Sequence, residues 1–302
     1  MTAAAAPDAA LYSREDFQRF FRRKYLVLLK AAFDRTQRRV DFRDPAVIAD
    51  VAAGFADLEA SPDAHSSVPR RIFMLWQQGW NTAPALVRAC AESWQEHNPK
   101  WELHLLDSAR LRDYAPELSL YDTPAISRPA QSDIVRLELL RRHGGIWTDA
   151  TLFCTRPLDD WLPAVAGPAP FIFSFPRPYR LVDVWFMAAP EDDPTIAALS
   201  DMARQYWRLF KRPHHYYWLP YLLEFLFEQE LALKAAWNAT PRLSALGPLA
   251  VHGNPFDRAA PRAIFDLIEA NRVPVHKLSH KWRFAGPLDG TPVGTLAGLS
   301  LL

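Results

Sequence analysis

The chain has 302 residues, enough to bury one large core or two modest ones. Hydrophobic residues make up 49% of it and charged residues 23%, as in ordinary globular proteins. The formal net charge of +1 excludes the strong positive field that binds nucleic acid, so we expect no nucleic-acid partner. The two cysteines, Cys90 and Cys154, allow neither a disulfide framework nor a zinc site, which indicates a reducing, cytoplasmic location.

The beginning of the chain is basic and has a helical pattern. The opening segment MTAAAAPDAALYSRED lacks the features of a secretory signal, and no run of ~20 apolar residues predicts a transmembrane helix. Ten Lys and Arg stand against four Asp and Glu over residues 14–43, where apolar residues recur at helical spacing: Phe17, Phe21, Tyr25 and Leu28. We expect this helix to pack on the main domain. The alternative is a peripheral contact with the anionic inner face of a membrane.

Two further segments separate this helix from the main domain. Residues 45–58 suit a second helix, and residues 60–69 have the composition of a linker. We therefore predict that residues 1–67 form a helical extension and linker. Residues 68–302 then form the main domain.

The main domain begins with a β-α-β pattern. Arg71–Trp76, RIFMLW, is the apolar run of a buried parallel strand, and a helix over 84–97 and a strand over 101–106 follow it. After the central segment described next, further elements are expected: strands over 171–175, 182–188 and 273–278, and helices over 194–211, 214–230 (broken near Pro220) and 258–271. The alternation of strands and helices indicates an α/β fold with a mainly parallel sheet.

The centre of the chain combines a helix, a glycine turn and a strand in the sequence SDIVRLELLRRHGGIWTDAT, residues 132–151. Ser132 is a suitable helix N-cap, and Gly144 fits the left-handed position just past the helix end. Ile146 and Trp147 begin the strand, which we expect to continue through residue 153. A helix followed at once by a buried strand is a compact way to bring charged groups together.

Four polar residues of this segment are spaced so that they form pairs. Asp133 and Arg136 are three residues apart and share a helix face. Asp149 and Thr151 are two apart and share a face if the chain remains extended. Because ligands collect at the carboxyl ends of strands in α/β sheets, Asp149 is well placed to bind one.

The whole pattern resembles the signature of DXD-containing glycosyltransferases of the GT-A fold, in particular family 32 sugar transferases and the related capsular polysaccharide synthesis proteins. Their pattern is S-D-x-x-R, an apolar helix, then G-G-x-[WY]-x-D-x-[DT]. The matching residues are Ser132, Asp133, Arg136, Gly144, Gly145, Trp147, Asp149 and Thr151. The resemblance implies a GT-A (Rossmann-like) fold, a mixed and mainly parallel sheet flanked by helices.

The resemblance also implies roles for single residues. Asp149 contacts the nucleotide-sugar donor, while Asp133 and Arg136 hold the donor's sugar and its phosphate side, so these three are the candidate catalytic residues. The further candidates for donor binding are Trp76, Gln77, Gly144, Gly145, Trp147, Thr151 and Lys281.

A divalent cation, Mn²⁺ or Mg²⁺, is the expected cofactor by the same resemblance, because it would neutralise the diphosphate leaving group. Asp149, Thr151 and His280 are its candidate ligands. Thr151 occupies the place of the second Asp of DXD, and a hydroxyl is a weaker cation ligand than a carboxylate. His276, Asp159 and Asp160 are candidates for a supplementary ligand, although each is more readily explained as structural.

The function implied is that of a retaining glycosyltransferase that moves a sugar from a nucleotide-sugar donor to a glycan or lipid-linked glycan in capsular or surface polysaccharide synthesis. A UDP-sugar is the expected donor. A helical insertion is expected at about 194–240. Its aromatic segment 214–230 is expected to pack as part of a helical subdomain, and the alternative is a cover over the acceptor side of the cleft. The alternative is a catalytically inactive GT-A domain that binds nucleotide sugar or glycan as an assembly partner. Thr151 keeps this alternative open.

Overall fold

The computed structural model describes residues 12–33, 40–61, 66–116, 118, 126–177, 179–283 and 286–297. Within them the strands are β1 (Arg71–Leu75), β2 (Glu102–Leu106), β3 (Gly145–Asp149), β4 (Leu152–Cys154), β5 (Phe171–Arg177), β6 (Arg180–Ala189) and β7 (Val275–Lys277). The helices are α1 (Arg14–Phe33), α2 (Pro45–Ala53), α3 (Ala85–His97), α4 (Leu111–Tyr114), α5 (Arg128–His143), α6 (Pro194–Leu209), α7 (Trp218–Gln229), α8 (Leu231–Ala239), α9 (Leu246–Gly253), α10 (Arg262–Glu269) and α11 (Pro292–Ala297).

The central sheet has the strand order β2-β1-β3-β6-β5. Strand β1 is parallel to both β2 and β3, and β6 is antiparallel to both β3 and β5, so four of the five strands run in one direction. Helix α3 connects the parallel pair β1 and β2, as the β-α-β pattern predicts. The predicted mixed, mainly parallel sheet is therefore confirmed, whereas the GT-A assignment stays a prediction.

A second, two-stranded sheet pairs β4 with β7. The expectation that residues 152 and 153 continue the preceding strand is wrong, because a turn at Ala150 and Thr151 ends β3 at Asp149. The redirected segment pairs antiparallel with the last strand of the chain, and Leu152 is opposite Lys277. Asp149 and Thr151 thus do not share a strand face, and a strand distant in sequence lies beside both.

Helix α5 begins one turn earlier than predicted. Arg128 is its first residue and Ser127 stands at the N-cap position, so Ser132 lies inside the helix and does not cap it. The helix extends upstream because Pro129 is tolerated in a first turn, where no backbone N–H is needed. At the other end, Gly144 has the positive φ of 55° that its position predicts.

The two faces of the central sheet are covered by separate hydrophobic clusters. Alternate residues of β1 enter each: Ile72 and Met74 face the cluster that includes α2, α3, α9 and α10, and Phe73 and Leu75 face the cluster that includes α1, α5, α6 and α7. This is the period-two pattern of a strand that is buried on both faces.

Helix α1 belongs to the second cluster through the buried side chains of Phe17, Phe20 and Phe21. The prediction that this helix packs on the main domain is correct for Phe17 and Phe21 and for the partly buried Leu28, whereas Tyr25 is 59% exposed. Residues 34–39 of the predicted basic segment, and 62–65 of the predicted linker, lie outside the described residues. The domain boundary at residue 67 stays a prediction.

Three helices occupy most of the predicted insertion at about 194–240: α6, α7 and α8. The expected break at Pro220 is wrong, because this proline lies in the first turn of α7, where it costs no hydrogen bond. Among the described helices, we find none with the length and apolar character that a membrane crossing requires.

Candidate active site

Three of the predicted residues meet at the carboxyl end of β3. Asp149 is the last residue of that strand, and Asp133 and Arg136 lie on the adjoining helix α5. The Nη2 atom of Arg136 lies 3.0 Å from Oδ1 of Asp133 and 3.4 Å from Oδ1 of Asp149. One guanidinium group therefore holds two carboxylates side by side.

Arg136 is held from every side. Its Nη1 donates to the carbonyl oxygen of Val184 on β6, its Nε lies 3.5 Å from the carbonyl of Ser132, and its guanidinium carbon stands 5.0 Å from the ring centre of Trp147. The Trp147 indole donates to Oδ1 of Asp149 at 3.2 Å. Both Arg136 and Trp147 are buried, so they orient the carboxylates from beneath the site. The assignment of Trp147 as a direct donor contact is corrected by this burial.

Burial raises the pKa of Asp133 to about 6, with Arg136 acting against the shift and the nearby Asp149 charge adding to it. Near neutral pH this carboxyl is mainly ionised, and an ionised carboxylate only accepts hydrogen bonds, as sugar hydroxyls require. Tyr216 is exposed over most of its surface, but the pKa of its phenol is raised, first by partial burial and then by Tyr217, Asp133 and Asp149. Both acids are therefore close enough to act on it.

Lys277 completes the group and was missed by sequence reasoning. It is the last residue of β7, and its ammonium donates to Oγ1 of Thr151 at 2.5 Å and lies 3.8 Å from Oδ2 of Asp149. The available signal was its place at the end of an apolar strand, the same place that Asp149 holds in β3. Which strand lies next to Asp149 was not visible in the pattern.

A second buried ion pair, also missed, lies on the neighbouring strand β6. Arg180 Nη2 is 3.0 Å from Oδ1 of Asp183, and the Arg180 guanidinium carbon stands 3.6 Å from the ring centre of Tyr217. Burial raises the pKa of Asp183, while Arg180 opposes that shift and Lys277 acts in the same direction as Arg180. The positive charge of Lys277 thus lies beside Asp149 of β3 and also favours the ionised form of Asp183 on β6.

Trp76, Gln77 and His280 border the site where β1 ends. The indole of Trp76 and the ring of His280 meet edge to face, with centroids 5.4 Å apart, and Gln77 donates to Gln131 of α5 at 3.3 Å. Burial lowers the pKa of His280, as do the charges of Lys281, Lys277 and Arg283. These residues line the edge at which Asp149 and Lys277 also lie.

Gly144 and Gly145 have a different explanation from the predicted one. They stand at the start of β3, the opposite end from Asp149, so their assignment as donor contacts is corrected. A Cβ atom on Gly144 would lie 2.7 Å from the backbone nitrogen of Glu191, and one on Gly145 would lie 2.7 Å from the carbonyl of Arg71. Their role is close packing of backbone against backbone.

The candidate supplementary ligands His276, Asp159 and Asp160 have other surroundings than the group around Asp149. His276 is 1% exposed, and its burial lowers the pKa to about 3. Asp159 accepts from Trp101 at 3.1 Å and pairs with Arg70 at 3.1 Å, and both Asp159 and Asp160 line a separate cavity of about 690 Å³. None of the three lies with Asp149, and their candidacy is corrected.

The residues around Asp149 fit a divalent cation poorly. Among the described residues, no group of three His, Cys, Asp or Glu side chains could hold a metal ion. Asp149 already accepts from Arg136 and Trp147, and the hydroxyl of Thr151 is occupied by Lys277. Carboxylate ligands and space for water are what Mg²⁺ and Mn²⁺ require. The expected divalent cation stays a prediction.

The fold and this site define an α/β protein whose acidic and basic side chains converge at the carboxyl edge of its sheet. The comparison with protein families agrees with that class. Residues 30–287 match the model of the capsular polysaccharide synthesis protein family, and the chain belongs to this family. The predicted resemblance to that group is confirmed.

Curated proteins with similar sequences carry glycosyltransferase names. The chain is 31% identical over 101 residues to an uncharacterized glycosyltransferase of Acanthamoeba polyphaga mimivirus, covering 32% of this chain and 40% of that protein. It is 27% identical over 118 residues to glycosyltransferase afumC of Aspergillus fumigatus, covering 34% and 30%. It is 23% identical over 166 residues to inositol phosphoceramide mannosyltransferase 1 of Schizosaccharomyces pombe, covering 52% and 50%. The chain thus spans half or less of each relative's length.

Among solved structures, the chain is similar to the PaToxG glycosyltransferase. The sequence identity is 13%, and the similarity covers 76% of this chain and 95% of the other. The TM-score is 0.38.

Proposed function

We propose that the protein is a glycosyltransferase that moves a sugar from a nucleotide-sugar donor to a glycan acceptor in the synthesis of a capsular or other surface polysaccharide. The donor that we propose is a UDP-sugar. The observation that carries the proposal is the convergence of Asp133, Asp149 and Lys277 around Arg136 at the carboxyl edge of the sheet. Carboxylates suit sugar hydroxyls, and an ammonium suits phosphate oxygens. The glycosyltransferase names of the curated relatives support the same reaction class.

The contacts of these residues support a separate role for each. The guanidinium of Arg136 is engaged by two carboxylates and a backbone carbonyl, and only 6% of its side chain is exposed. We therefore propose that Arg136 positions the acids, in place of the contact with the donor's phosphate side that the family resemblance implies. Asp133 and Asp149 receive the donor's sugar and ribose hydroxyls. Lys277, on the opposite side of Asp149, faces the diphosphate.

Transfer with retention at the anomeric carbon follows from the family resemblance. In that reaction the bond between the anomeric carbon and the diphosphate oxygen breaks, and its electron pair stays on that oxygen. The acceptor's hydroxyl oxygen bonds to the same face of the carbon, and its proton passes to the departing diphosphate. The protein's task is to hold the acceptor hydroxyl and the leaving diphosphate on the same face of the anomeric carbon and to offset the charge that develops on the leaving group.

The direct test is incubation with a panel of nucleotide sugars while released nucleoside diphosphate is measured. We expect turnover with at least one donor and its loss in Asp149→Asn. Asp159→Asn, a matched change in the separate cavity, should retain the activity. Binding of a donor without turnover of any donor under any metal condition would instead favour the inactive assembly partner. If neither binding nor turnover occurred with the panel, the proposal would fail.

For the acceptor we propose a lipid-linked glycan at an anionic membrane surface, approached along α1. Beyond the buried Phe21, this helix exposes Tyr25, Leu26, Val27 and Leu29, each more than a third accessible. An apolar groove of about 440 Å³ lies between them and α7, lined by Phe21, Arg22, Lys24, Tyr25, Leu26, Leu28, His214, His215 and Tyr221. The two histidines of the groove directly precede Tyr216 in the chain, and Asp133 and Asp149 are among the groups that raise the pKa of Tyr216, after its burial and Tyr217.

Vesicle co-sedimentation tests this acceptor proposal. We expect binding to vesicles that contain phosphatidylglycerol and weaker binding to pure phosphatidylcholine, because exposed Arg19 and Arg22 accompany the apolar patch. Leu26→Ser should reduce binding, since it removes an apolar side chain that is 66% exposed. Leu231→Ser on α8, 71% exposed, is the matched control. Equal loss in both variants, or no preference for anionic vesicles, would count against the membrane contact.

A further inference from the structure

Lys277 lies where the DXD pattern would otherwise place a metal ion. In that pattern the two acidic positions are those of Asp149 and Thr151. The ammonium of Lys277 lies between these residues, 2.5 Å from the Thr151 hydroxyl and 3.8 Å from Oδ2 of Asp149. It also donates to the carbonyl of Leu278 at 3.2 Å, which fixes its direction. A positive charge is thus built into this position by the chain itself.

The position of Lys277 is determined by the backbone. Strand β7 pairs with β4, and Leu278 donates its backbone N–H to the Thr151 carbonyl at 2.8 Å. The lysine is therefore tied to the same turn that carries Thr151. Its side chain is only 19% exposed, which restricts its motion but leaves one side open toward a ligand.

A divalent cation would meet opposition at the same place. It would have to displace the ammonium from Thr151 or accept a like charge within a few ångströms. His280, the remaining predicted ligand, packs edge to face against Trp76. The charge of Lys277 therefore opposes a metal ion between Asp149 and Thr151.

We propose that the Lys277 ammonium takes the place of the divalent cation and that the protein binds the diphosphate of its donor without a metal ion. The inference rests on the proposed function, because it concerns the same donor site. Lysine is a compact point charge with three donors, so it can hold the Thr151 hydroxyl and the Leu278 carbonyl and still present one N–H group to a phosphate oxygen. When the bond from the anomeric carbon breaks, the electron pair left on the diphosphate oxygen is balanced by this ammonium.

Calorimetric titration of the full chain with UDP, ADP and GDP tests the inference. With EDTA present we expect one of them to bind with an affinity within about threefold of that in Mn²⁺ or Mg²⁺. Lys277→Met should weaken that binding at least about tenfold, or 1.4 kcal/mol, in EDTA. Lys277→Arg keeps the charge and should retain most of the affinity. Lys234→Met, on the exposed face of α8, is the matched control and should bind as the unchanged protein does.

Thermal unfolding of each variant without nucleotide shows whether the variant is folded. If Lys277→Met is unfolded, nucleotide binding by Lys277→Arg in EDTA is the test of whether the charge at this position is sufficient. Binding that appears only with Mn²⁺ or Mg²⁺ would overturn the inference while leaving the proposed function intact. Binding in EDTA that Lys277→Met leaves unchanged would also overturn it. Absence of binding by all three nucleotides, with or without metal, would remove the proposed donor class and this inference with it.

Discussion

Replacing Arg136 by methionine should destabilise the fold strongly. Arg136 is 5% exposed, its Nη2 lies 3.0 Å from Asp133 and 3.4 Å from Asp149, and its Nη1 bonds the Val184 carbonyl. Methionine retains much of the apolar stem, so the change removes charge and hydrogen bonds more than packing. Asp133 then remains buried without its cation.

The magnitude follows from this loss. Breaking a buried ion pair from one side costs about 3–5 kcal/mol. Part of the cost depends on pH, because burial raises the pKa of Asp133 to about 6 even with Arg136 acting against it. Without the guanidinium the pKa rises further, and each unit costs about 1.4 kcal/mol once the carboxyl is ionised. We expect a loss of about 3–5 kcal/mol at about pH 8 and a smaller loss at about pH 5, where Asp133 is largely protonated.

Urea unfolding followed by tryptophan fluorescence measures the free energy of unfolding at both pH values. The control is Arg262→Met on α10, where the guanidinium pairs with Asp266 and Glu269 at the surface and its loss should be too small to resolve. If Arg136→Met cost no more than this control, or the same at both pH values, the account of Asp133 as a buried acid held by one cation would be refuted.

Three further predictions concern single residues. The pKa of Asp133 is raised to about 6 in the folded protein, so the stability present below the pKa of an unfolded aspartate is lost as the pH rises through 6. Asp133→Asn should flatten this decline in the free energy of unfolding measured with urea. An unchanged slope would contradict the raised pKa of Asp133. The pKa of His276 is lowered to about 3 in the folded protein, so the stability present above the pKa of an unfolded histidine is lost as the pH falls. His276→Leu should move the midpoint of acid unfolding, measured by circular dichroism, to lower pH. Gly145→Ala should cost about 1–3 kcal/mol or more, since Gly145 has a φ of 89° and no room for a Cβ atom, whereas Gly286→Ala, with open space around it, should leave the melting temperature unchanged.

Much of the sheet could be predicted because its signals are local. The apolar run of β1 and the Gly144 turn before β3 appear in the sequence as they do in the fold. The contact of Asp133 with Arg136 follows from a spacing of three residues on a helix. These features depend on neighbours a few residues away, which is the range over which a sequence pattern carries information.

The errors occurred where distant segments compete with local preference. Thr151 reads as strand, but the turn at Ala150 and Thr151 is stabilised by pairing of β4 with β7, more than a hundred residues further along the chain. Tyr25 continues the helical stripe of Phe17 and Phe21, yet it is exposed, so periodicity predicted the stripe and not how far a partner covers it.

Lys277 marks the limit most clearly. The sequence by itself determined a strand that carries Asp149 and a helix that bears Asp133 and Arg136, because both elements are set by neighbours close in the chain. Only the tertiary structure decided that Lys277, 126 positions beyond Thr151, stands against it. The physical reason is that register between distant strands is set by the burial of whole faces in the finished core, which no local spacing encodes.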